Sequence, residues 1–211
     1  REERSRYGLA MPVSLTERAD RLNLRAGIVG RLPPVILVTD EHRMPDPLVA
    51  MAGLRAGDAV LLRHYRAPDR GDLAYALADA CRAARIRLIV GGDTALAQAV
   101  RADGVHFPER LVSHAGRARW FRRGLLVTAA AHSWPALVAA RRFGADAVLL
   151  SPVFATASHP GATGIGACRF AALAHRSPVP VYALGGITAA TAGRLAATGA
   201  VGIAAIGAFT I

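Results

Sequence analysis

The stretch LIVGGDTALAQAVRADGVHFPE, from Leu88 to Glu109, carries the pattern that decides the fold. A run of Leu, Ile and Val meets a Gly-Gly-Asp turn, an alanine-rich segment of helical period follows, and the apolar run Gly104–Phe107 closes the unit. Short apolar runs that alternate with helical segments are typical of β-α-β units around a parallel sheet. The stretch therefore predicts two parallel strands joined by a short helix.

The same alternation recurs along the chain from Val35 onward. It gives eight strand candidates: Val35–Asp40, Ala59–His64, Arg87–Gly91, Gly104–Phe107, Leu125–Ala130, Ala147–Phe154, Pro180–Gly186 and Val201–Gly207. Eight such units without a polar linker, and without Gly-x-Gly-x-x-Gly after the first strand, favour a closed (β/α)8 TIM barrel over an open doubly wound sheet. We expect a single α/β domain at residues 35–211, preceded by an N-terminal extension at residues 1–34.

The N-terminal extension differs from the rest of the chain in composition. It is rich in arginine and predicts a helix over Leu15–Leu24, before the break at Pro33-Pro34. Few residues follow the eighth strand, so the helix expected there is either lacking from this sequence or replaced by the extension. We expect the extension to pack against the barrel.

Composition limits the classes of function. The chain has 211 residues, is 53% hydrophobic and 19% charged, and carries a formal charge of +11, which indicates a globular domain rather than a disordered one. The arginines are scattered with few aromatic residues beside them, so nucleic-acid binding is not expected. All 26 basic side chains counted as Lys+Arg are arginine, which excludes Schiff-base chemistry.

Location and assembly follow from the same inventory. Cys81 and Cys168 form no Cys-x-x-Cys pair and no zinc spacing, which predicts reduced thiols. No apolar run reaches the length of a membrane span, and no signal-peptide block is present, so we expect a cytoplasmic protein without a membrane partner. The sequence leaves a homo-oligomer open.

The loops after strands seven and eight predict a phosphate site. They contain Gly185, Gly186 and Gly207, and in this fold these two loops commonly hold a phosphate. Glycine lets backbone N–H groups approach an anion closely, and a helix beginning at Thr188 would point its positive end toward the same place. The alternative is that these glycines only permit tight turns.

The loop after strand six, SPVFATASHPGATGIG, is the longest in the predicted barrel. It offers the hydroxyls of Thr156 and Ser158 and the imidazole of His159. Long loops at the mouth of a barrel commonly act as lids or binding loops, so we expect these side chains to close over a ligand.

Four motifs together resemble the thiamine phosphate synthase/TenI superfamily. They are VILVTD, RADGVH, AHSWPALVAARRFGADAVLLSPVFATASHPG and VYALGGITAATAGRLAATGAVGIAAIGAF, and they extend from Val35 to the C-terminus. The resemblance implies a (β/α)8 barrel of thiamine biosynthesis that binds a thiazole phosphate. In the synthase branch it also implies a pyrimidine pyrophosphate and magnesium.

The synthase branch differs from this chain at its charged positions. Its Gln-Leu-Arg-Glu-Lys at the end of strand two is similar to Leu61–Tyr65, where only the arginine, Arg63, is kept. Its Asn-Asp-Arg after strand three, which includes a magnesium ligand, falls on Gly91–Asp93, and Glu109 is the carboxylate nearest its second acid. Its Thr-x-Thr-Lys after strand six, which grips pyrophosphate, falls on Thr156–His159.

The TenI branch implies a thiazole tautomerase that needs no metal. Its general acid/base is a histidine just after strand five, where this chain has His132, and a histidine pKa near neutrality suits proton transfer. Loss of the charged positions would remove electrostatic help from a departing pyrophosphate. We therefore predict a tautomerase in which His132 moves the proton and Arg63 orients the substrate, with no cofactor.

Three alternatives stay open. One is a synthase with a magnesium site rebuilt around Asp93 and Glu109. Another is a binding or regulatory protein that keeps the phosphate loops but has no catalytic activity. A third is a metal site of His64, His106 and His132, which lacks the carboxylates that usually accompany such histidines.

Overall fold

The computed structural model describes residues 13–44, 46–118, 124–156, 161 and 163–206. Eight parallel strands form a closed barrel in chain order. They are β1 (Val35–Val38), β2 (Ala59–Leu62), β3 (Arg87–Gly91), β4 (Gly104–Phe107), β5 (Leu126–Ala131), β6 (Ala147–Leu150), β7 (Val181–Leu184) and β8 (Gly202–Ala205). Each lies within or overlaps a predicted run, so the predicted (β/α)8 barrel is confirmed.

Two layers of apolar side chains explain why the strand sequences are almost continuously hydrophobic. The barrel closes where Val35 of β1 pairs with Ile203 of β8. Side chains such as Ile36, Leu61 and Tyr182 fill the interior, whereas their strand neighbours join an outer layer beneath the helices. Strands buried on both faces have no need of polar alternation.

The helices around the barrel are unequal in length. They are α1 (Leu15–Arg25), α2 (Pro47–Ala50), α3 (Arg70–Ala84), α4 (Thr94–Ala99), α5 (Ala115–Ala118), α6 (Trp134–Arg142), α7 (Gly166–Arg176) and α8 (Ala189–Ala192). Turns of 3₁₀ helix cover Met51–Gly53, Glu109–His114 and Gly193–Leu195. The helix expected to begin at Thr188 is α8, which has only four residues, so its dipole is small.

The described part of the N-terminal extension packs on the barrel through α1. A capping box of Ser14 and Glu17 begins the helix, and its buried face contacts β1, β8 and α8. The Asn23 amide is buried and donates to the carbonyls of Leu32 and Val201, at 3.2 and 3.1 Å. α1 therefore covers the seam between the first and last strands, while the domain boundary at residue 34 stays a prediction.

The two cysteines and the described helices can be compared with the cysteine chemistry and membrane spans that the sequence analysis considered. Cys81 and Cys168 are both free thiols. Burial raises the pKa of the Cys81 thiol to about 12, so this side chain behaves as a small apolar group. None of the described helices is long and apolar enough to cross a membrane.

Candidate active site

A cavity of about 830 Å³ opens at the carboxyl ends of β6, β7 and β8. The loops after β6 and β7 supply most of its wall, including the hydroxyls of Thr156 and Thr191. Three guanidinium groups also line it, those of Arg43, Arg63 and Arg194, and no carboxylate does among the described residues. The cavity is therefore suited to anionic ligands.

Arg63 is held at the end of β2 by the end of β1. Its backbone N–H donates to Thr39 Oγ1 at 2.9 Å, and its Nη2 lies 3.0 Å from Asp40 Oδ2. The other oxygen of Asp40 accepts the N–H groups of His42 and Arg43, at 3.2 and 3.1 Å. One carboxylate thus fixes a guanidinium and the loop that carries Arg43.

Two of the three histidines considered as metal ligands are buried structural groups. His64 Nδ1 lies 2.8 Å from Thr39 Oγ1, and His106 Nδ1 lies 3.0 Å from Thr128 Oγ1. Burial lowers the pKa of His64, and burial together with the nearby Arg63 charge lowers the pKa of His106 to about 3. Both imidazoles are neutral near pH 7. Each is hydrogen-bonded to a buried threonine near the mouth of the barrel.

The glycine pair after β7 permits close packing against the loop after β6. Gly185 and Gly186 have φ of +96° and +65°, which favours glycine. A Cβ on Gly185 would lie 2.9 Å from Pro152 Cα, and one on Gly186 would collide with the carbonyl oxygen of Ala155. Among the described residues, the N–H groups of Gly186 and Ile187 find no hydrogen-bond acceptor, so they are available to an anion.

Arg194 enters the cavity from the 3₁₀ turn that follows α8. Its guanidinium lies over the Phe154 ring, 4.8 Å from the centroid, and Phe154 belongs to the loop after β6. The Phe154 N–H donates to the Gly185 carbonyl at 3.0 Å, which holds that loop in place. A cation–π contact of this kind orients the charge without neutralising it.

The Gly91–Asp93 turn after β3 has a structural explanation. A Cβ on Gly91 would lie 2.9 Å from the Leu62 carbonyl oxygen and 3.0 Å from the Tyr65 hydroxyl, and Gly92 has φ +67°. Asp93 caps α4, its Oδ1 accepting the Leu96 N–H at 2.9 Å. Its Oδ2 lies 3.4 Å from Arg70 Nη1.

His132 and Glu109 form a pair at the ends of β5 and β4. Glu109 Oε2 lies 2.6 Å from His132 Nδ1 and accepts the His132 N–H at 3.0 Å. Both side chains are about half exposed, at 50% and 41% of their area. The pair fastens the end of β5 to the 3₁₀ turn Glu109–His114.

Some of the predicted site residues line the cavity, and others do not. The cavity brings together Arg63, Thr156, Gly185 and Gly186. His132, Asp93 and Glu109 do not belong to its described lining. Ser158, His159 and Gly207 lie outside the described residues. Sequence reasoning missed Arg43 and Arg194, because both are single arginines in ordinary loop sequence, among many others.

A family model described as "Thiamine monophosphate synthase" matches residues 35–209, nearly the whole barrel. The chain belongs to this family. The thiamine-phosphate synthase of Chlorobium luteolum is 33% identical over 181 residues, covering 84% of this chain and 85% of that protein. The thiamine-phosphate synthase of Methanoculleus marisnigri is 35% identical over 179 residues, covering 82% and 85%.

A solved structure agrees with these relatives. The thiamine phosphate pyrophosphorylase from Pyrococcus furiosus is 26% identical, with a TM-score of 0.71 over 90% of this chain and 91% of that one. The resemblance to the superfamily is thereby confirmed. The names of these relatives favour the synthase alternative, and none of them supports the tautomerase that we predicted as the main function.

The donor groups at the barrel mouth do not suit the magnesium ion of the synthase alternative. Both oxygens of Asp93 already accept, from the α4 backbone and from Arg70, and Glu109 is held by His132. In the described part of the chain, no three His, Cys, Asp or Glu side chains come together to hold a metal ion. Magnesium prefers near-octahedral oxygen ligands, and these residues do not fit it.

Proposed function

We propose that this protein is a thiamine-phosphate synthase. It would join a thiazole phosphate to a pyrimidine pyrophosphate and release diphosphate. The observation that carries the proposal is the cavity at the barrel mouth, lined by Arg43, Arg63 and Arg194 and by the glycine turn after β7. Its volume of about 830 Å³ has room for two small substrates.

The two anionic ends of the substrates match two cationic ends of the cavity. Gly185, Gly186 and Arg194 follow β7, whereas Arg43 and Arg63 follow β1 and β2 on the far side of β8. The glycine turn suits the thiazole monophosphate, because its Gly186 and Ile187 N–H groups have no acceptor among the described residues. The Arg43 and Arg63 end suits the diphosphate, because planar guanidinium forks bind phosphate oxygens in pairs.

The chemistry needs charge stabilisation more than proton transfer. The bond between the pyrimidine methylene carbon and the diphosphate oxygen breaks, and both electrons leave on that oxygen. The thiazole ring nitrogen donates its lone pair to the same carbon, which gives a thiazolium and free diphosphate. Fixed cations aimed at the leaving oxygens stabilise the charge that develops there.

Arg43 and Arg194 answer the objection that this chain lacks the lysines and other charged residues of the synthase branch. From sequence, the loss of charged family positions argued against a synthase. The cavity contains two arginines that do not stand at those positions, and guanidinium groups keep their charge at any physiological pH. Positive charge in the cavity is thus supplied from other elements.

The direct experiment is product formation by the purified protein from both substrates, followed by chromatography of thiamine phosphate. We expect multiple turnovers, with either substrate alone giving none. Arg63→Gln should lower kcat/KM at least about tenfold, which corresponds to roughly 1.4 kcal/mol of transition-state stabilisation. Absence of product under all metal conditions would contradict the proposal.

The tautomerase keeps one observation in its favour. A histidine whose Nδ1 faces a carboxylate at 2.6 Å, as in His132 and Glu109, is an arrangement that acid/base catalysis uses. Proton exchange on thiazole carboxylate phosphate, compared between wild type and His132→Ala, tests it. Exchange that depends on His132, with no synthase product, would favour this second candidate.

A further inference from the structure

We propose that the diphosphate in this cavity is bound and released by guanidinium groups without a magnesium ion. The inference rests on the proposed function and specifies how its leaving group is stabilised. Its basis is the distribution of charge at the barrel mouth. Carboxylates there are turned toward arginine, histidine and backbone N–H groups, and the cavity itself presents arginines.

Three carboxylates that follow strands near the mouth, those of Asp40, Asp93 and Glu109, already have partners. Asp40 pairs with Arg63 at 3.0 Å and caps its own loop. Asp93 caps α4, and Glu109 accepts two hydrogen bonds from His132. A divalent cation held by any of these three would have to break such contacts before it gained an oxygen ligand, and the groups left behind would lose their own partners.

Arg70 occupies the turn after β3 with a permanent positive charge. Its Nη2 donates to the Gly91 carbonyl at 2.5 Å, its Nη1 faces Asp93, and its guanidinium lies over the Tyr65 ring at 5.6 Å. Its side chain is only 15% exposed. A metal ion on Asp93 would lie within a few ångströms of this charge and would be repelled by it.

The cavity has the complementary excess of positive charge. Arg43, Arg63 and Arg194 line it, no carboxylate is among its described lining residues, and Asp40 lies 3.0 Å from Arg63. A diphosphate carries several negative charges on oxygens that accept paired N–H donors. When the carbon–oxygen bond breaks, the added negative charge falls on oxygens that these guanidinium groups can bind. No co-reactant is needed for this step.

The first test is calorimetric titration of the full chain with inorganic pyrophosphate in a buffer that contains a chelator. We expect binding without metal, and we expect Arg43→Gln and Arg63→Gln each to weaken it at least about tenfold. Arg82→Gln is the matched control, because Arg82 is exposed on the outer face of α3 and pairs with Asp79. Its affinity should equal that of wild type.

The second test is the affinity for Mn²⁺, a spectroscopic stand-in for magnesium, measured by the loss of the free-ion electron paramagnetic resonance signal. We expect wild type to bind no more Mn²⁺ than Asp93→Asn, whose amide oxygen still caps α4. Stoichiometric Mn²⁺ binding by wild type that Asp93→Asn abolishes would overturn the inference. So would pyrophosphate binding that requires magnesium.

The synthase assay in chelator and in magnesium separates this inference from the proposed function. Thiamine phosphate formed in chelator supports both. Thiamine phosphate formed only with magnesium keeps the proposed function and overturns the inference. In a third outcome, pyrophosphate binds without metal and depends on Arg43 and Arg63, but no product forms in either buffer. That outcome would contradict the proposed function and would still support the arginine subsite.

Discussion

Arg194 shows how one side chain can join two loops and a ligand site. Its guanidinium lies over Phe154 from the loop after β6, while its backbone belongs to the 3₁₀ turn after α8. The glycine turn at Gly185 and Gly186 lines the same cavity. An anion bound there would therefore meet backbone N–H groups and a pre-oriented positive charge together.

Replacing Arg194 tests the charge at the thiazole end of the cavity. Arg194→Gln should raise KM for the thiazole phosphate at least about tenfold, since a charge-assisted hydrogen bond is worth roughly 1.5–3 kcal/mol. KM for the pyrimidine substrate should change far less. Arg142→Gln is the matched control, because Arg142 also lies over a ring, Phe143 at 5.6 Å, away from the cavity. Equal effects of both substitutions would contradict the assignment.

Replacing Gly186 tests the close packing of the two loops. Gly186→Ala puts a Cβ against the Ala155 carbonyl and 2.8 Å from Phe154 Cβ, at a φ of +65°. We expect it to lower the free energy of unfolding by about 1–3 kcal/mol and to reduce turnover. Gly71→Ala, in α3 with open space around it, should be neutral or slightly stabilising in the same denaturant titration. A Gly186→Ala protein with an unchanged free energy of unfolding and unchanged turnover would contradict the close packing of the two loops.

Individual residues were predictable where a strand end fixes their position. Arg63 follows β2 directly and Gly185 follows β7, so the barrel pattern alone places both at the mouth. Arg43 and Arg194 belong to irregular segments, where sequence does not fix which way a side chain points. The partner of His132 was also hidden, because Glu109 lies 23 residues away on a 3₁₀ turn.

At the scale of elements, α1 is joined to the barrel through one buried polar side chain, that of Asn23. Asn23 donates to the Leu32 carbonyl before β1 and to the Val201 carbonyl before β8. The single amide thus ties the helix to both strands at the closing seam. Leu15 and Leu22 add apolar packing on the same face.

Removing the Asn23 amide should leave two buried carbonyls without that donor. Asn23→Ala is expected to lower the free energy of unfolding by about 1–3 kcal/mol, the usual cost of an unsatisfied buried polar group. Arg21→Ala, on the exposed face of the same helix, should change it by less than about 0.5 kcal/mol. Urea denaturation followed by circular dichroism measures both. An Asn23→Ala protein with the same free energy of unfolding as wild type would show that the amide does not stabilise the packing of α1.

Strands and helices differ in how well the sequence predicted them. The eight strands were predictable because burial on both faces leaves short runs in which Val, Ile, Leu and Ala predominate. The length of the helices was not, since α2 and α8 have four residues each and give way to 3₁₀ turns. Four residues are too few to show a helical period.

For the whole molecule, the buried histidines link stability to pH. The pKa of His106 is lowered to about 3 by burial first and by Arg63 second, and burial also lowers the pKa of His64. In the unfolded chain, His64 and His106 take up protons as the pH falls through about 6.5. In the folded chain, both imidazoles stay neutral at that pH. The stabilising contribution of each neutral imidazole is therefore complete above about pH 6.5 and declines as the pH falls below that value.

The pH dependence can be measured by chemical denaturation between pH 7.5 and pH 4. We expect the free energy of unfolding to fall on acidification by up to about 1.4 kcal/mol per pH unit for each histidine that stays neutral in the folded state. His106→Gln, which can keep a hydrogen bond to Thr128, should flatten the slope. A slope identical to that of wild type would mean that His106 is protonated in the fold.

The (β/α)8 barrel and the family were predictable for the whole molecule, whereas the choice between branches was not. The motifs that carry the family likeness lie in strands and glycine turns, which the synthase and TenI branches share. The branches differ in charged loop residues, and in this chain Arg43 and Arg194 line the cavity although neither stands at one of those charged positions. Comparing the charged family positions alone therefore shows the charges that this chain lacks but does not show the two arginines that line its cavity.

The most direct test of the proposed function is a crystal structure of the protein grown with thiamine phosphate and pyrophosphate. We expect the phosphate of the product to lie against the N–H groups of Gly186 and Ile187 and near Arg194. We expect pyrophosphate oxygens within about 3 Å of the Arg43 and Arg63 guanidinium groups. Ligands bound instead between Asp93 and Glu109, beside His132, would contradict the proposed site.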